Sequence, residues 1–194
     1  MKKFTILVDC DDVLINFVDC WVNALNHKYG TNVRSEDITD WEIAQFFPGL
    51  TRWQVFSVLA QPSMYDDIAP MTGAKAAIRY LINTGRKIRV VTATSYDILK
   101  PKMEKLLSLY PYLSWDDVVV ANDKSAVIGD VIIDDNTKNL ETSPCRIKIL
   151  FDRPHNRSYK ITPESKIIRC KSWDEICEFL DTIQFLIERG GCFE

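Results

Sequence analysis

Six short apolar runs punctuate the chain: FTILVDC (4 to 10), KIRVVTA (87 to 93), VVVA (118 to 121), VIIDD (131 to 135), RIKILF (146 to 151) and KIIRC (166 to 170). Their apolar residues are continuous rather than alternating, the pattern of strands covered on both faces, which predicts a parallel sheet. Between the runs the period lengthens to that of helices. TGAKAAIRYLINTG groups Ala77, Ile78, Leu81 and Ile82 on one face, with Thr72 as a cap candidate and Gly85 as a stop. SYDILKPKMEKLLSLYP predicts a second helix, with Pro101 near its first turn or at a kink. SWDEICEFLDTIQFLIE predicts a closing helix capped by Ser172. Strand and helix alternate, so the expected class is α/β with a doubly wound, Rossmann-like parallel sheet.

From residue 15 to about 70 the rhythm breaks: helical patterns continue, but no parallel strand is evident. This interval reads as a small, mainly helical inserted cap. The expected division is an α/β core of residues 1–16 and 71–194 with a cap subdomain of residues 17–70. The cap carries Phe17, Trp21, Trp41, Phe46, Phe47, Trp53, Phe56 and Tyr65. A lobe of this size needs large side chains to fold, so most of these rings are expected in its core. Trp41 and Tyr65 are candidates for a pocket that stacks a flat ligand.

Composition narrows the function. The 194 residues are 46% hydrophobic with a formal charge of -3, and Lys and Arg are scattered, which leaves no groove for a nucleic-acid polymer. No run reaches the ~18 apolar residues of a membrane span, and the first ten residues turn acidic too early for a secretory signal. A cytoplasmic protein is expected. Six cysteines lie far apart with no CxxC pair, the pattern of reduced, mostly buried thiols. His27 and His155 are the only histidines, too few for a Ser-His-Asp triad or a multi-histidine metal site. Carboxylates must carry any catalysis.

A chain this acidic contains about 4 acid-x-acid pairs by chance, so position has to discriminate among them. In open α/β sheets ligands bind beyond the carboxyl ends of the strands. Of the Asp-Asp pairs at 11/12, 66/67, 116/117 and 134/135, only the first and last follow strand-like runs. Asp9, Asp11, Asp134 and Asp135 are therefore expected to converge at one sheet edge. Thr92 ends another run there, and Lys124 precedes GDVIIDD. Clustered carboxylates without histidine or thiolate call for a hard cation, and Mg2+ suits them because it keeps positions for water and phosphate oxygens. Lys124 and Thr92 can hold a phosphate. Asp9 and Asp11 can divide the work, one attacking phosphorus and the other protonating the leaving oxygen.

Other polar residues receive simpler readings. Asp12 caps or orients the turn after the first strand, Asp116 and Asp117 belong to a turn or helix cap, and Asn136 and Lys138 either order the loop beyond Asp135 or cap its turn. FDRPHNRSY (151 to 159) reads as a solvated loop, although His155, Arg153 and Arg157 could touch phosphate.

On these residues the chain resembles the haloacid-dehalogenase superfamily of phosphatases: DCDDVL is similar to its first motif, Thr92 to its second, Lys124 to its third and IIDD to its fourth. DCDDVLINF, APMTGA, DKSAVIGDVIIDD and SWDEI resemble, more narrowly, the 5'(3')-deoxyribonucleotidase family of cytosolic type C. The resemblance implies that Asp9 is nucleophile and metal ligand, and that Asp11 is the acid/base and binds metal through its carbonyl. It implies that Lys124 and Thr92 hold phosphate, and that Asp135 is the remaining side-chain ligand with Asp134 in support. It makes Phe17 the leading base-stacking residue and leaves a homodimer open. Asp12 stands where many relatives have Gly, and Ala93 and Thr94 follow Thr92 where mammalian members have Ser-Pro. The expected function is thus a Mg2+-dependent phosphomonoesterase of nucleoside monophosphates. A phosphatase of sugar phosphates or other small metabolites is the alternative, and a non-catalytic nucleotide sensor is disfavoured because Asp9 and Asp11 are both present.

Overall fold

The computed structural model describes residues 4–189, the side chain of Pro62 excepted. Cys192 lies outside them. All six apolar runs form strands: β1 (Thr5–Val8), β2 (Lys87–Thr92), β3 (Val118–Val120), β4 (Val131–Asp134), β5 (Ile147–Phe151) and β6 (Ile167–Cys170). They make one parallel sheet in the order β3-β2-β1-β4-β5-β6. The continuous apolar pattern is explained by the pleat. Within β1, Ile6 and Val8 pack into one hydrophobic cluster and Leu7 into another on the opposite face. Neither face of the strand meets water.

Helices cover the sheet: α3 (Ala74–Asn83), α4 (Tyr96–Leu109), α5 (Thr137–Thr142) and α6 (Trp173–Glu188). Ser172 accepts a hydrogen bond from the Glu175 amide at the start of α6, as its position predicts. One local expectation is corrected and another narrowed. The residue before α3 is Gly73 at φ 81°, not Thr72, because the chain turns there through the left-handed region close to Trp173. Of the two places expected for Pro101, the first turn is excluded, since the residue lies inside α4.

The chain passes twice through one narrow crossing between sheet and insertion. The Met71 amide donates to Leu14 O at 2.8 Å, the Asn16 amide to Ala69 O at 3.1 Å, and the Ala69 amide to Asn16 Oδ1 at 2.7 Å. Between these points lie α1 (Phe17–Tyr29), α2 (Arg52–Ser57) and four short 3-10 turns, with no strand among the described residues. The Trp21 indole donates to Val55 O at 2.9 Å and meets Phe56 edge-on at 5.1 Å, tying α1 to α2. No helix among the described residues is long and apolar enough to cross a membrane. Cys10, Cys20, Cys145, Cys170 and Cys177 are free thiols.

Gly129, just ahead of β4, makes the tightest approach to the sheet. A Cβ there would stand 2.7 Å from Leu7 Cγ, and Leu7 is 1% exposed with no room to yield. Gly129→Ala should therefore destabilise the fold by about 1–3 kcal/mol. Equilibrium denaturation should show this as a lower midpoint at unchanged slope.

Candidate active site

β1 has β2 on one side and β4 on the other, so the winding of the sheet reverses beside it, and a crevice opens at the carboxyl ends of β1 and β4. The register Val8↔Ile133 brings Asp9 level with Asp134, and the Asp9 amide continues the ladder to Ile133 O at 2.9 Å. Beyond Asp9 the chain folds into a tight loop in which the Leu14 and Ile15 amides both donate to Cys10 O. Two large side chains fix this loop from outside: the Trp173 indole donates to Val13 O at 3.0 Å, and the Tyr110 hydroxyl to Leu14 O at 2.6 Å. Both rings are fully buried, so the loop is gripped by the core and not by solvent.

Each of the first two carboxylates has its own buried lysine. Lys124 Nζ donates to Asp9 Oδ1 at 2.5 Å and to Asp134 Oδ2 at 2.7 Å. Lys102 Nζ, from α4, donates to Asp11 Oδ2 at 2.6 Å and to Thr92 Oγ1 at 2.9 Å. Both lysines lie in surroundings that disfavour charge, yet the adjacent carboxylates outweigh burial and hold their pKa values above the ordinary lysine range. Asp12, at φ 53°, points elsewhere. It accepts from the Val18 amide at 3.3 Å through both oxygens and from Arg153 Nη2 at 3.4 Å, so it caps the first turn of α1. Burial raises its pKa to about 8 despite the arginine.

Asp9, Asp134 and Asp135 bring carboxylate oxygens within 4.8 Å of one another. Burial, followed by the Asp9 charge, raises Asp134 to about 6, and burial with the charges of Asp9 and Asp134 drives Asp135 well above the usual carboxylate range. An all-oxygen, mutually repelling donor set of this kind fits a hard divalent cation. The three residues are not equivalent. Asp134 is fully buried and already accepts from Lys124, the Asn136 amide and Asn139 Nδ2. Asp135 borders the cavity, and its Oδ2 lies 2.9 Å from His155 Nε2.

The cavity over this cluster has a volume of about 210 Å³. Asp9, Asp11, Lys124 and Asp135 line its floor; Phe17, Trp21, Ile38, Trp41 and Ile43 line the side formed by the insertion. Phe17 and Trp41 thus stand where a flat ligand would meet them. Tyr65 does not: its ring is 2% exposed and packs behind Phe17 at 6.5 Å, which corrects the expectation that it faces the pocket. Thr92 is fully buried with its hydroxyl turned to Lys102, and its neighbour Ala93 lines the cavity.

Two groups escaped sequence reading. FDRPHNRSY is no solvated loop throughout, since His155 is 6% and Asn156 2% exposed. The His155 ring packs against Trp41 at 4.2 Å with the ring planes tilted by 55°, Asn156 donates to Asp135 O at 2.8 Å, and burial lowers the imidazole pKa to about 4. Nothing in the loop's composition distinguishes it from a surface turn. Lys102 did leave a signal, because it occupies the apolar stripe Leu99, Lys102, Met103, Leu106 of α4, where a lysine is out of place. Asn136 caps α5 through the Lys138 amide, and Asp117 caps the turn at Ser114, as expected.

Solved structures share this architecture. A hydrolase from Deinococcus radiodurans described as a HAD family hydrolase with bound phosphate and sodium superposes with a TM-score of 0.58 at 13% identity, over 92% of this chain and 95% of its own. The HAD-hydrolase YfnB from Bacillus subtilis, described as bound to magnesium, gives 0.59 at 14% identity over 93% and 99%. The fold is that of haloacid-dehalogenase-like hydrolases. Sequence relatives narrow the class. The 5'(3')-deoxyribonucleotidase of Bacillus subtilis is 32% identical over 91% of this chain and 97% of its own length. That of Clostridium acetobutylicum is 28% identical over 93% and 98%. Residues 3–185 match the family described as 5' nucleotidase, deoxy (pyrimidine), cytosolic type C protein, and the chain belongs to that family. It is accordingly a phosphoric monoester hydrolase.

A divalent ion seated among these carboxylates should stabilise the folded protein by about 2.7 kcal/mol at a concentration 100 times its dissociation constant. Thermal melts against ion concentration should show the rise, and Asp135→Asn should remove most of it.

Proposed function

We propose that this chain hydrolyses nucleoside monophosphates, deoxyribonucleotides included, to nucleoside and phosphate through a phosphorylated Asp9. The observation that carries the reading is the pairing of two differently held carboxylates, Asp9 on Lys124 and Asp11 on Lys102, on the floor of a cavity whose other side is aromatic. Asp9 and Asp135, with the Asp11 carbonyl, would hold Mg2+, while Asp134, its oxygens engaged, braces Lys124. Bound there, Mg2+ supplies the positive charge that lets a phosphate dianion approach a carboxylate.

The chain's own groups perform the rest. An Asp9 oxygen bonds to phosphorus as the bond from phosphorus to the sugar oxygen breaks, and Asp11 passes a proton to that oxygen. Water then attacks phosphorus, its proton goes to Asp11, and the Asp9–phosphorus bond breaks. Lys124 neutralises both Asp9 and the incoming phosphate, and backbone amides of the loop after β2 complete the cradle with Thr92 behind them. Residues 17–70 act as a cap: Phe17 and Trp41 stack on the base and exclude water during transfer.

One observation favours a second reading. The cavity of about 210 Å³ lies below the ~300 Å³ at which ligand pockets usually begin, which favours a small sugar phosphate over a whole nucleotide. A substrate panel at fixed Mg2+ separates the two. Thymidine and deoxyuridine monophosphates should show the higher kcat/KM, and sugar phosphates turned over equally well would overturn the nucleotidase reading. Asp9→Asn should abolish turnover with the fold intact, and Asp11→Asn should lower kcat by about 10²–10⁴-fold.

A further inference from the structure

Of the two lysines at this site, Lys124 lines the cavity and Lys102 does not. Lys102 is 1% exposed and stands behind Asp11, with its Nζ 5.6 Å from the centre of the Phe17 ring. A lysine is almost never buried this fully without a purpose-built partner. Its partners are Asp11 Oδ2 at 2.6 Å and the Thr92 hydroxyl at 2.9 Å. The other Asp11 oxygen, Oδ1, is buried and has no hydrogen-bond partner among the described residues. An unpaired buried carboxylate oxygen is costly unless something else uses it.

We propose that Lys102 is a positioning residue for phosphoryl transfer: it clamps Asp11 Oδ2 against Thr92 so that Oδ1 is presented to the leaving oxygen of the substrate. The inference rests on Asp11 as acid/base. In the first step the bond from phosphorus to the leaving oxygen breaks, an Asp9 oxygen bonds to phosphorus, and the proton on Oδ1 moves to the leaving oxygen. Asp11 is left as a carboxylate whose new charge faces the ammonium of Lys102. In the second step the attacking water returns a proton to Oδ1. Lys102 touches no substrate and exchanges no proton: it does not line the cavity, whose wall includes the Phe17 ring 5.6 Å from its Nζ.

The leaving group provides the test. A nucleoside alkoxide must be protonated as it departs, whereas p-nitrophenolate leaves without help. Quenched-flow bursts of alcohol release should therefore respond differently to Lys102→Met. Thymidine release from its monophosphate should slow about 100-fold, as expected of a misplaced catalytic group, and nitrophenol release by no more than about 3-fold because it needs no acid. In an Asp11→Asn background Lys102→Met should slow thymidine release no further, since the two act as one unit. Equal slowing on both esters, or additive losses in the double variant, would overturn the proposal and leave Lys102 a packing residue. Should Lys102→Met fail to fold, Lys102→Arg keeps the charge but shifts the donor; a smaller contrast of the same sign supports the clamp, and equal slowing refutes it. A wild type that releases nitrophenol but not thymidine would overturn the nucleotidase reading instead, and the same contrast is then read with glycerol phosphate as the alkyl ester.

Discussion

Carboxylates repel, and this fold buries three of them, Asp9, Asp134 and Asp135, within reach of one another at the ends of two adjacent strands, with the part-exposed Asp11 beside them. The rest of the site follows from how that repulsion is relieved. Two buried lysines answer it from opposite sides, Lys124 bridging Asp9 and Asp134, and Lys102 bridging Asp11 and Thr92. They do not answer it fully. Asp135 stays well above the usual carboxylate range, which is the electrostatic signature of a cluster built for one more positive charge. The same incomplete compensation makes the site receptive to a cation and, through the lysines, to an anion.

The backbone is arranged to place these charges. Reversal of winding beside β1 leaves a crevice, and the parallel register sets Asp9 beside Asp134 with no adjustment of either strand. Trp173 and Tyr110 then hold the loop after β1 by its carbonyls, so the orientation of Asp9 and Asp11 is tied to the hydrophobic core rather than to side-chain chance. Asp12 does the complementary work toward the insertion, linking the start of α1 to Arg153 in the loop after β5. Trp41 and His155 make a second link between insertion and core, and this one ends on Asp135.

The sheet could be read from the sequence because its central strands β1 and β4 are buried on both faces, which leaves an unbroken apolar run for each, while the edge strand β3 is only partly covered yet keeps its three valines. The carboxylates could be read because they immediately follow two of those runs. What escaped depends on contacts between distant segments. Phe17 and Tyr65 are alike as residues of an aromatic-rich insertion, and only packing decides that one faces the cavity and the other stands behind it. His155 and Asn156 lie in a stretch with the composition of a turn, yet they are drawn inward to hold Asp135. Lys102 was the recoverable omission, a charged residue in the apolar stripe of α4 whose partners lie 10 and 91 positions away in sequence.

The central claim is that Asp9 and Asp135 share a single divalent ion on the floor of this cavity. Crystals grown with Mn2+, whose anomalous scattering marks its position, test it most directly. The account predicts one peak bonded to a carboxylate oxygen from each of the two residues. A peak on Asp134 alone, or none near Asp9, would contradict it.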